Sequence, residues 1–291
     1  MKKDNFKKTG VIYTCITNGY DPFINHKYID SNWDYVCFTD NLNIVGNKNS
    51  TWEVRPLIFN ELDDIKNQRW HKLHPHILFP EYEKSIWVDA NVNILKDGFF
   101  GDIKKAINED ELMSIAPHPI RNCIYDELDA CIDMGKDNIE IMKKQIELVK
   151  KNNFPKGVGL FETNIIYRKH LNPLVISVMD DWWWWIKNYS RRDQLSLNYV
   201  LWKKKMQIEP LSKVTYRDSD KVNFTYGENH VTKEELIKQK NDLILTIEQK
   251  NREVNSLYQI IKQKEEEIIF MKSSKFWKLR DKYLKIRNYG K

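Results

Sequence analysis

The sequence predicts an α/β fold with a mainly parallel sheet, followed by a separate helical C-terminal part. Apolar β-branched runs alternate with helical segments over the first 205 residues, a pattern typical of parallel sheets covered by helices. Beyond about residue 228, charged heptads replace this alternation. We therefore expect a domain over residues 1–228, a coiled coil over 229–271 and a basic amphipathic tail over 272–291.

Within the first domain, local composition indicates each element in turn. Runs rich in β-branched and aromatic residues predict strands at 11–17, 33–40, 51–57, 85–89, 112–118 and 160–169. Helical periodicity predicts helices at 63–79, 102–108, 126–151, 172–188 and 193–204. Turn-forming sequences such as NGYDP and FPKGVG separate these elements.

The charge of the chain is concentrated at its C-terminus. The net charge is +6, and residues 272–291 alone contain eight basic residues and one acid. The rest of the chain is therefore nearly neutral, which gives nucleic-acid binding by the main domain no electrostatic support.

The cysteines and the apolar segments indicate the compartment. None of the four cysteines, Cys15, Cys37, Cys123 and Cys131, forms a Cys-x-x-Cys pair, so we expect reduced thiols and no zinc site. The first apolar run is too short for a signal peptide, and no run approaches the ~20 apolar residues of a membrane span. We expect a cytoplasmic protein or one that is peripheral on the inner face of the membrane.

The segment SIWVDANVNIL, residues 85–95, carries the first candidate site. A buried-strand pattern ends at Asp89, and Asn91 follows two positions later. Carboxylate and amide oxygens can hold Mg²⁺ or Mn²⁺, although the uncharged Asn91 would hold the ion less tightly than a second Asp. The alternative is a strand-end Asp that caps a turn.

Other polar groups could complete such a site. Arg69 and Lys72 lie in a basic helical segment that could face phosphates or solvent. Asp193 and Gln194 open a helix, where they could act as caps or place a carboxylate and an amide against a reacting sugar. His118, Arg121 and Glu127 follow a strand and could contact a donor sugar or an acceptor.

The segment after residue 232 has a heptad pattern. With Ile237 at position a, apolar residues occupy most central a and d positions, and Asn251 lies at an a position. One Asn at an a position favours a parallel two-stranded coiled coil, so we expect a homodimer through residues 237–271. The alternative is a single helix that folds back on the domain.

The tail SSKFWKLRDKYLKIRNYGK combines basic and aromatic residues. Phe276, Leu279, Tyr283 and Ile286 fall on one helical face, and Lys and Arg fill most of the rest. This composition predicts a helix that lies on an anionic membrane surface; the alternative is a solvated basic tail.

The motifs taken together resemble a known family. Residues 11 to about 205 resemble the bacterial and plant glycosyltransferase-like family named after turgor-regulation-defect and seed-mucilage-related proteins. The similar pieces are ITNGYD, VCFTDN, R-x-x-K-x-H-P-H, SIWVDAN, HPIRNCIYDE, GLFETNIIYRKH and SRRDQLSL. The wider pattern is also similar to glycogenin-type and lipopolysaccharide galactosyltransferases, with Asp89 and Asn91 at the metal motif and Asp193 and Gln194 at the donor sugar.

The resemblance implies a GT-A fold, a nucleotide-sugar donor and Mn²⁺ or Mg²⁺ on Asp89 and Asn91. It implies transfer from a donor, we expect a UDP-sugar, to a hydroxyl of a surface polysaccharide or other glycan acceptor. Arg69 and Lys72 would face the donor phosphates, with Asp21 and Asp40 beside the nucleoside. Asp193 would be either the base of an inverting enzyme or the charge that stabilises a retaining transition state, and similarity to retaining enzymes favours the second.

The two alternatives to a transferase are a binding module and a hydrolase. A catalytically degenerate sugar-binding or nucleotide-binding module on a coiled-coil scaffold would explain the Asn at position 91. A nucleotide-sugar hydrolase is disfavoured, because the sequence shows neither a second carboxylate cluster nor a Gly-rich phosphate loop.

Overall fold

The computed structural model describes residues 8–46, 51–213, 222–224 and 233–288. It divides the chain into two compact units, one ending at His230 and the other beginning at Val231. The predicted boundary between residues 228 and 229 lies outside the described residues.

A six-stranded sheet forms the centre of the first unit. Its strands are β1 (Gly10–Ile16), β2 (Trp33–Thr39), β3 (Glu53–Pro56), β4 (Ser85–Val88), β6 (Met113–Pro117) and β7 (Phe161–Arg168). The strand order is β3-β2-β1-β4-β7-β6. The first four strands in this order run parallel, and β7 pairs antiparallel with both β4 and β6. The α/β, mainly parallel prediction is therefore confirmed.

A small second sheet lies just beyond the segment that carries Asp89. Strand β5 (Val92–Ile94) pairs antiparallel with β8 (Val222–Phe224). Strand β5 is not predicted from the sequence, because three residues are too few to show a period.

Helices cover both faces of the main sheet. They are α1 (Asp64–Leu73), α2 (Pro75–Leu78), α3 (Gly98–Asn108), α4 (Ile124–Asp133), α5 (Ile139–Lys151), α6 (Pro173–Asn188) and α7 (Leu197–Lys203). A 3₁₀ turn at Asp193–Leu195 precedes α7.

The core consists of two layers, because side chains alternate along each strand. From β1, Val11, Tyr13 and Cys15 pack into the larger layer with residues of α1 and α4 to α7. Ile12 and Ile16 face the opposite layer, with residues of α3. All four cysteines are free and buried.

Two predicted helices are interrupted. The helix predicted over 126–151 breaks into α4 and α5 around Gly135, which has φ of 59°. Helix α5 then begins after Asn138, whose side chain accepts the N–H of Ile141 at 3.1 Å. The helix predicted over 63–79 breaks at His74, because the next residue is proline and disfavours helical backbone before it.

The second unit consists of two helices among the described residues. Helix α8 runs from Lys233 to Ser273, and α9 runs from Lys275 to Asn288. Within the described part of the chain, no helix is both long and apolar enough to cross a membrane.

Candidate active site

The site lies at the edge of the sheet where the parallel strands end. Asp89 follows β4 directly, and its backbone N–H donates to the Asn164 carbonyl on β7 at 2.7 Å. Because β7 runs antiparallel to β4, its first residues lie at this same edge. Ligands of open α/β sheets bind at the carboxyl ends of strands, which is where this group of polar side chains is found.

Lys72, Asp89 and Asp193 form the centre of this group. The Lys72 ammonium lies 2.8 Å from Asp193 Oδ2 and 3.4 Å from Asp89 Oδ1. The Lys72 side chain is 0% exposed, Asp193 3% and Asp89 29%. A fully buried ammonium is tolerated only when it is paired, so the two carboxylates hold Lys72 in place.

Asp193 is surrounded by further donors. Its Oδ2 also accepts the Thr163 hydroxyl at 2.9 Å and forms an ion pair with Arg69 Nε at 3.5 Å. Its Oδ1 accepts the backbone N–H of Gln194 at 3.1 Å. Burial raises the pKa of Asp193, but the nearby cations Arg69, Lys72 and Arg192 outweigh this effect and hold the pKa well below its usual range. Asp193 is therefore an anion at neutral pH.

Helix α6 positions the Asp193 backbone. Trp182, fully buried, donates its indole N–H to the Asp193 carbonyl at 2.9 Å. Trp182 is the first of four consecutive tryptophans; Trp185 is also buried, whereas Trp184 is exposed. The four tryptophans are therefore not all buried by one helical face. Trp182, one of the buried ones, holds the backbone of the candidate catalytic residue Asp193.

The residues around Asp89 decide whether the predicted divalent ion fits there. Asp89 Oδ1 already accepts the indole N–H of Trp87 at 2.7 Å in addition to its contact with Lys72. Asn91 adds no charge. A Mg²⁺ ion bound through one or two carboxylates takes its other anionic ligands from substrate phosphates. Here the protein offers one carboxylate for its share, and that carboxylate is already paired with an ammonium. Among the described residues, no group of three or more His, Cys, Asp or Glu side chains is arranged to hold a metal ion. The donor set therefore does not fit a tightly held divalent ion.

Arg69 and Lys72 contact carboxylates in this structure. The Arg69 side chain is 14% exposed and can still meet a ligand. Lys72 has no exposed surface, so the phosphate contact predicted for it would require rearrangement.

His118, Arg121 and Gln194 join one polar network. The loop after β6 holds His118, whose Nδ1 accepts the backbone N–H of Arg121 at 3.0 Å. Arg121 Nε donates to the buried Glu127 at 2.6 Å, and Arg192 lies 3.9 Å from the other oxygen of Glu127. Arg192 also donates to the Gln194 side chain at 3.0 Å. Glu127 thus connects the loop after β6 to the segment that carries Asp193.

Asp21 and Asp40 lie at the β1–β2 side of the same edge. Asn18 and Gly19, both with positive φ, form a turn closed by the Tyr20 N–H on the Thr17 carbonyl at 3.1 Å. This turn directs the Asn18 N–H to Asp40 Oδ2 at 2.7 Å. Asp40 is exposed and Asp21 is half-buried. Their predicted contact with a nucleoside stays a prediction.

Sequence reasoning missed several residues of the site. Thr163 and Trp87 hold the two carboxylates, and Arg192 lies between Asp193 and Glu127. No motif marks Thr163 or Trp87, because their roles depend on strand pairing. Arg192 adjoins Asp193 in SRRDQLSL and could have been included.

One family model matches most of the chain. The family model described as "TOD1/MUCI70, glycosyltransferase-like domain" matches residues 11–230. No match was found among the curated proteins.

Solved structures of glycosyltransferases show weaker likeness. They include the bifunctional glycosyltransferase WbbM (TM-score 0.40, 13% identity, 70% of this chain and 39% of that chain). GlyE of Streptococcus pneumoniae TIGR4 has a TM-score of 0.40 and 12% identity over 69% of this chain and 44% of that chain. The mannosyltransferase Ktr4p of S. cerevisiae, in complex with GDP, has a TM-score of 0.38 and 13% identity over 78% of each chain. This chain thus spans less than half the length of the first two proteins, and likeness at this level does not assign a function.

The family match covers most of the chain and includes the segments that form the site. The predicted membership and the glycosyltransferase assignment at family level are therefore confirmed. The chain belongs to the TOD1/MUCI70 family and carries its glycosyltransferase-like domain over residues 11–230.

Proposed function

We propose that the protein transfers a sugar from a nucleotide-diphosphate donor, a UDP-sugar, to a hydroxyl of a surface polysaccharide or other glycan acceptor. The bond from the sugar's anomeric carbon to the diphosphate breaks, and the nucleoside diphosphate leaves with the bonding electron pair. A bond from the anomeric carbon to the acceptor oxygen forms, and the acceptor's proton passes to an oxygen of the leaving diphosphate. The observation that carries this proposal is the Lys72–Asp89–Asp193 cluster at the carboxyl edge of the sheet, within a glycosyltransferase-like domain.

The surroundings of Asp193 favour an electrostatic role. A general base needs an oxygen available to the acceptor's proton. Both Asp193 oxygens already accept hydrogen bonds, and the side chain is almost fully buried. An anion fixed in this way can instead stabilise positive charge that develops on the sugar ring, which supports a retaining reaction.

The polar groups around this cluster suit the parts of the donor. Gln194, Arg121 and His118 adjoin the Asp193 segment, and we assign them to the donor sugar. Arg69 would meet the diphosphate, and Asp21 and Asp40 would meet the nucleoside. The Mn²⁺ or Mg²⁺ predicted at Asp89 and Asn91 has no part in this proposal, because the donor set does not fit it.

A screen for thermal stabilisation by ligands tests the proposal. Nucleoside diphosphates and their sugars would be added singly to the full chain, and one sugar nucleotide should raise the melting temperature. A folded sample that no nucleotide stabilises would contradict donor binding. Because both Asp193 oxygens already accept hydrogen bonds, the site also allows the second function, a degenerate binding module. A donor that binds without turnover on any acceptor would favour that function.

Helix α8 supports the proposed homodimer. Its d positions Ile247, Val254, Ile261 and Ile268 are all exposed, as is the a position Ile244. A second copy of this chain would bury this row as a coiled coil. Ile247→Glu with Ile261→Glu should convert a dimer into a monomer in analytical ultracentrifugation, and a wild-type monomer would contradict the proposal.

Helix α9 supports the proposed membrane contact. Phe276, Leu279, Tyr283 and Ile286 are exposed on a helix that otherwise carries mainly basic residues. Apolar and cationic faces together suit an anionic bilayer surface. We propose peripheral attachment at the cytoplasmic face through residues 272–291.

A further inference from the structure

The charge at the end of β4 is already balanced by the protein itself. Lys72 places its ammonium 3.4 Å from Asp89 Oδ1 and 2.8 Å from Asp193 Oδ2. Asn91, two positions after Asp89, contributes no charge. The end of β4 therefore offers little net negative charge to a divalent cation.

We propose that Lys72 is the fixed cation of the donor site and that the protein binds and uses its sugar-nucleotide donor without a divalent metal ion. This inference deepens the proposed transferase function and rests on it. Lys72 is enclosed and does not need to contact the donor for this role. Its ammonium holds Asp89 and Asp193 at a fixed spacing before the donor arrives.

The backbone of Lys72 is anchored so that the ammonium has a defined position. The Lys72 carbonyl accepts the Tyr13 hydroxyl at 2.8 Å and Arg168 Nη1 at 2.8 Å. Both partners are fully buried and lie on strands β1 and β7, and Arg168 also donates to the Tyr13 hydroxyl at 2.5 Å. On the side-chain end, the ammonium lies 5.5 Å from the centre of the Trp87 ring. Lys72 is thus fixed at both ends by the sheet.

The wider cluster supplies the charge that a metal would otherwise bring to the diphosphate. Its carboxylates are Asp89, Asp193 and Glu127. Its cations are Lys72, Arg69, Arg121 and Arg192. The four cations outnumber the three carboxylates by one, and the three arginine side chains retain some exposed surface. Guanidinium groups bind phosphate oxygens through paired hydrogen bonds and stabilise a departing diphosphate electrostatically.

Donor binding in the presence and absence of metal tests the inference. The sugar nucleotide identified in the screen would be titrated into the metal-stripped full chain by calorimetry, once with EDTA and once with Mn²⁺. The expected result is the same Kd and the same turnover in both buffers. Binding or turnover that EDTA abolishes and Mn²⁺ restores would overturn the inference while leaving the transferase function intact. If no sugar nucleotide binds in either buffer, the transferase function fails, and this inference with it.

Two variants add readouts that do not depend on turnover. Mn²⁺ electron paramagnetic resonance should show no specific binding to wild type with donor present, whereas Asn91→Asp should create a bound signal by adding a carboxylate beside Asp89. A bound Mn²⁺ signal in wild type that disappears in Asp89→Ala would contradict the inference.

Lys72→Met should lower turnover by about 100-fold or more, because it removes the fixed cation. The matched control Lys104→Met removes an exposed lysine of α3 and should change nothing. If Lys72→Met does not fold, the comparison of EDTA with Mn²⁺ on wild type still decides the question.

Discussion

The ammonium of Lys72 lies 2.8 Å from Oδ2 of Asp193, although 121 positions separate the two residues in the chain. Helix α1 supplies the cation, the 3₁₀ turn before α7 supplies the anion, and Thr163 on β7 donates to the same oxygen. A buried pair of this kind rarely adds much stability by itself, because desolvation offsets the attraction. We therefore interpret it as part of the functional site.

Asp193→Asn should reduce turnover by about 100-fold or more, because an amide cannot supply the charge that Asp193 presents. It should also lower the free energy of unfolding by roughly 3–5 kcal/mol, since Lys72 would remain buried and would keep only one carboxylate partner, Asp89. Chemical denaturation and steady-state kinetics check the two effects. Asp129→Asn, on the exposed face of α4, is the matched control and should behave as wild type. Normal turnover in Asp193→Asn would remove this residue from the mechanism.

Asp89→Ala should abolish donor binding or turnover and leave the fold intact. The Asp89 side chain is 29% exposed and lies after the strand, so its removal creates no core cavity. The variant loses the acceptor for Trp87, which costs about 1 kcal/mol. It also loses the weaker of the two carboxylate contacts of Lys72, while Asp193 at 2.8 Å continues to pair with the ammonium. Calorimetry with the donor and a circular dichroism melt check the prediction. Full activity in this variant would show that the assigned site is wrong.

Trp182→Phe should lower turnover while Trp184→Phe should not. Trp182 donates its indole N–H to the Asp193 carbonyl, whereas Trp184 is exposed on the same helix. Loss of that bond and of buried ring volume should cost about 1–3 kcal/mol. Kinetics at saturating donor distinguish the variants, and equal loss in both would indicate a general effect on α6.

Four buried histidines predict that stability falls on mild acidification. Burial lowers the pKa of each one, His26, His71, His74 and His170, to about 4. Below the ordinary histidine pKa of about 6.5, the unfolded chain therefore binds protons that the folded chain does not. The contribution of these neutral rings to the free energy of unfolding is fully present above that pH. It declines as pH falls toward 4, by up to about 1.4 kcal/mol per pH unit for each histidine.

Urea denaturation at several pH values between 7 and 4 measures this slope. His71→Gln should reduce this slope. The His71 ring donates to the Asn67 carbonyl at 2.8 Å, and it can accept the Ile58 N–H at 3.0 Å only when neutral. A stability that does not change across this pH range would contradict the assignment of neutral buried rings.

Deleting residues 272–291 should release the protein from anionic vesicles and leave turnover on a soluble acceptor nearly unchanged. The exposed apolar face of α9 and its basic residues are removed together by this deletion. Co-sedimentation with phosphatidylserine vesicles at two salt concentrations measures the binding. Vesicle binding that survives the deletion would place the membrane contact elsewhere.

The sequence predicts much of the fold because strand and helix periods are strong over long segments. The six strands of the main sheet all fall within or beside predicted ones. The break at Gly135 was missed because apolar residues recur at helical spacing on both sides of the short segment Gly-Lys-Asp-Asn. Strand β5 was missed because it exists through pairing with β8, which no local pattern shows.

The candidate site was predicted less completely, because the sequence identifies residues but not their partners. Asp89, Asp193, Arg69 and Lys72 were all identified, and the structure brings them together. Their contacts differ from expectation: Lys72 was assigned to phosphate, yet it binds two carboxylates. Charge pairing between α1 and the segment before α7 depends on the tertiary fold, and no spacing within one segment encodes it.

The most direct test of the central claim is release of nucleoside diphosphate from the identified sugar nucleotide, with and without a glycan acceptor, by wild type and Asp89→Ala. We predict acceptor-dependent release by wild type, with the sugar recovered on the acceptor, and none by the variant. Equal release by the folded variant and wild type, or no sugar on any acceptor tried, would contradict the claim that the Lys72–Asp89–Asp193 cluster is the active centre of a glycosyltransferase.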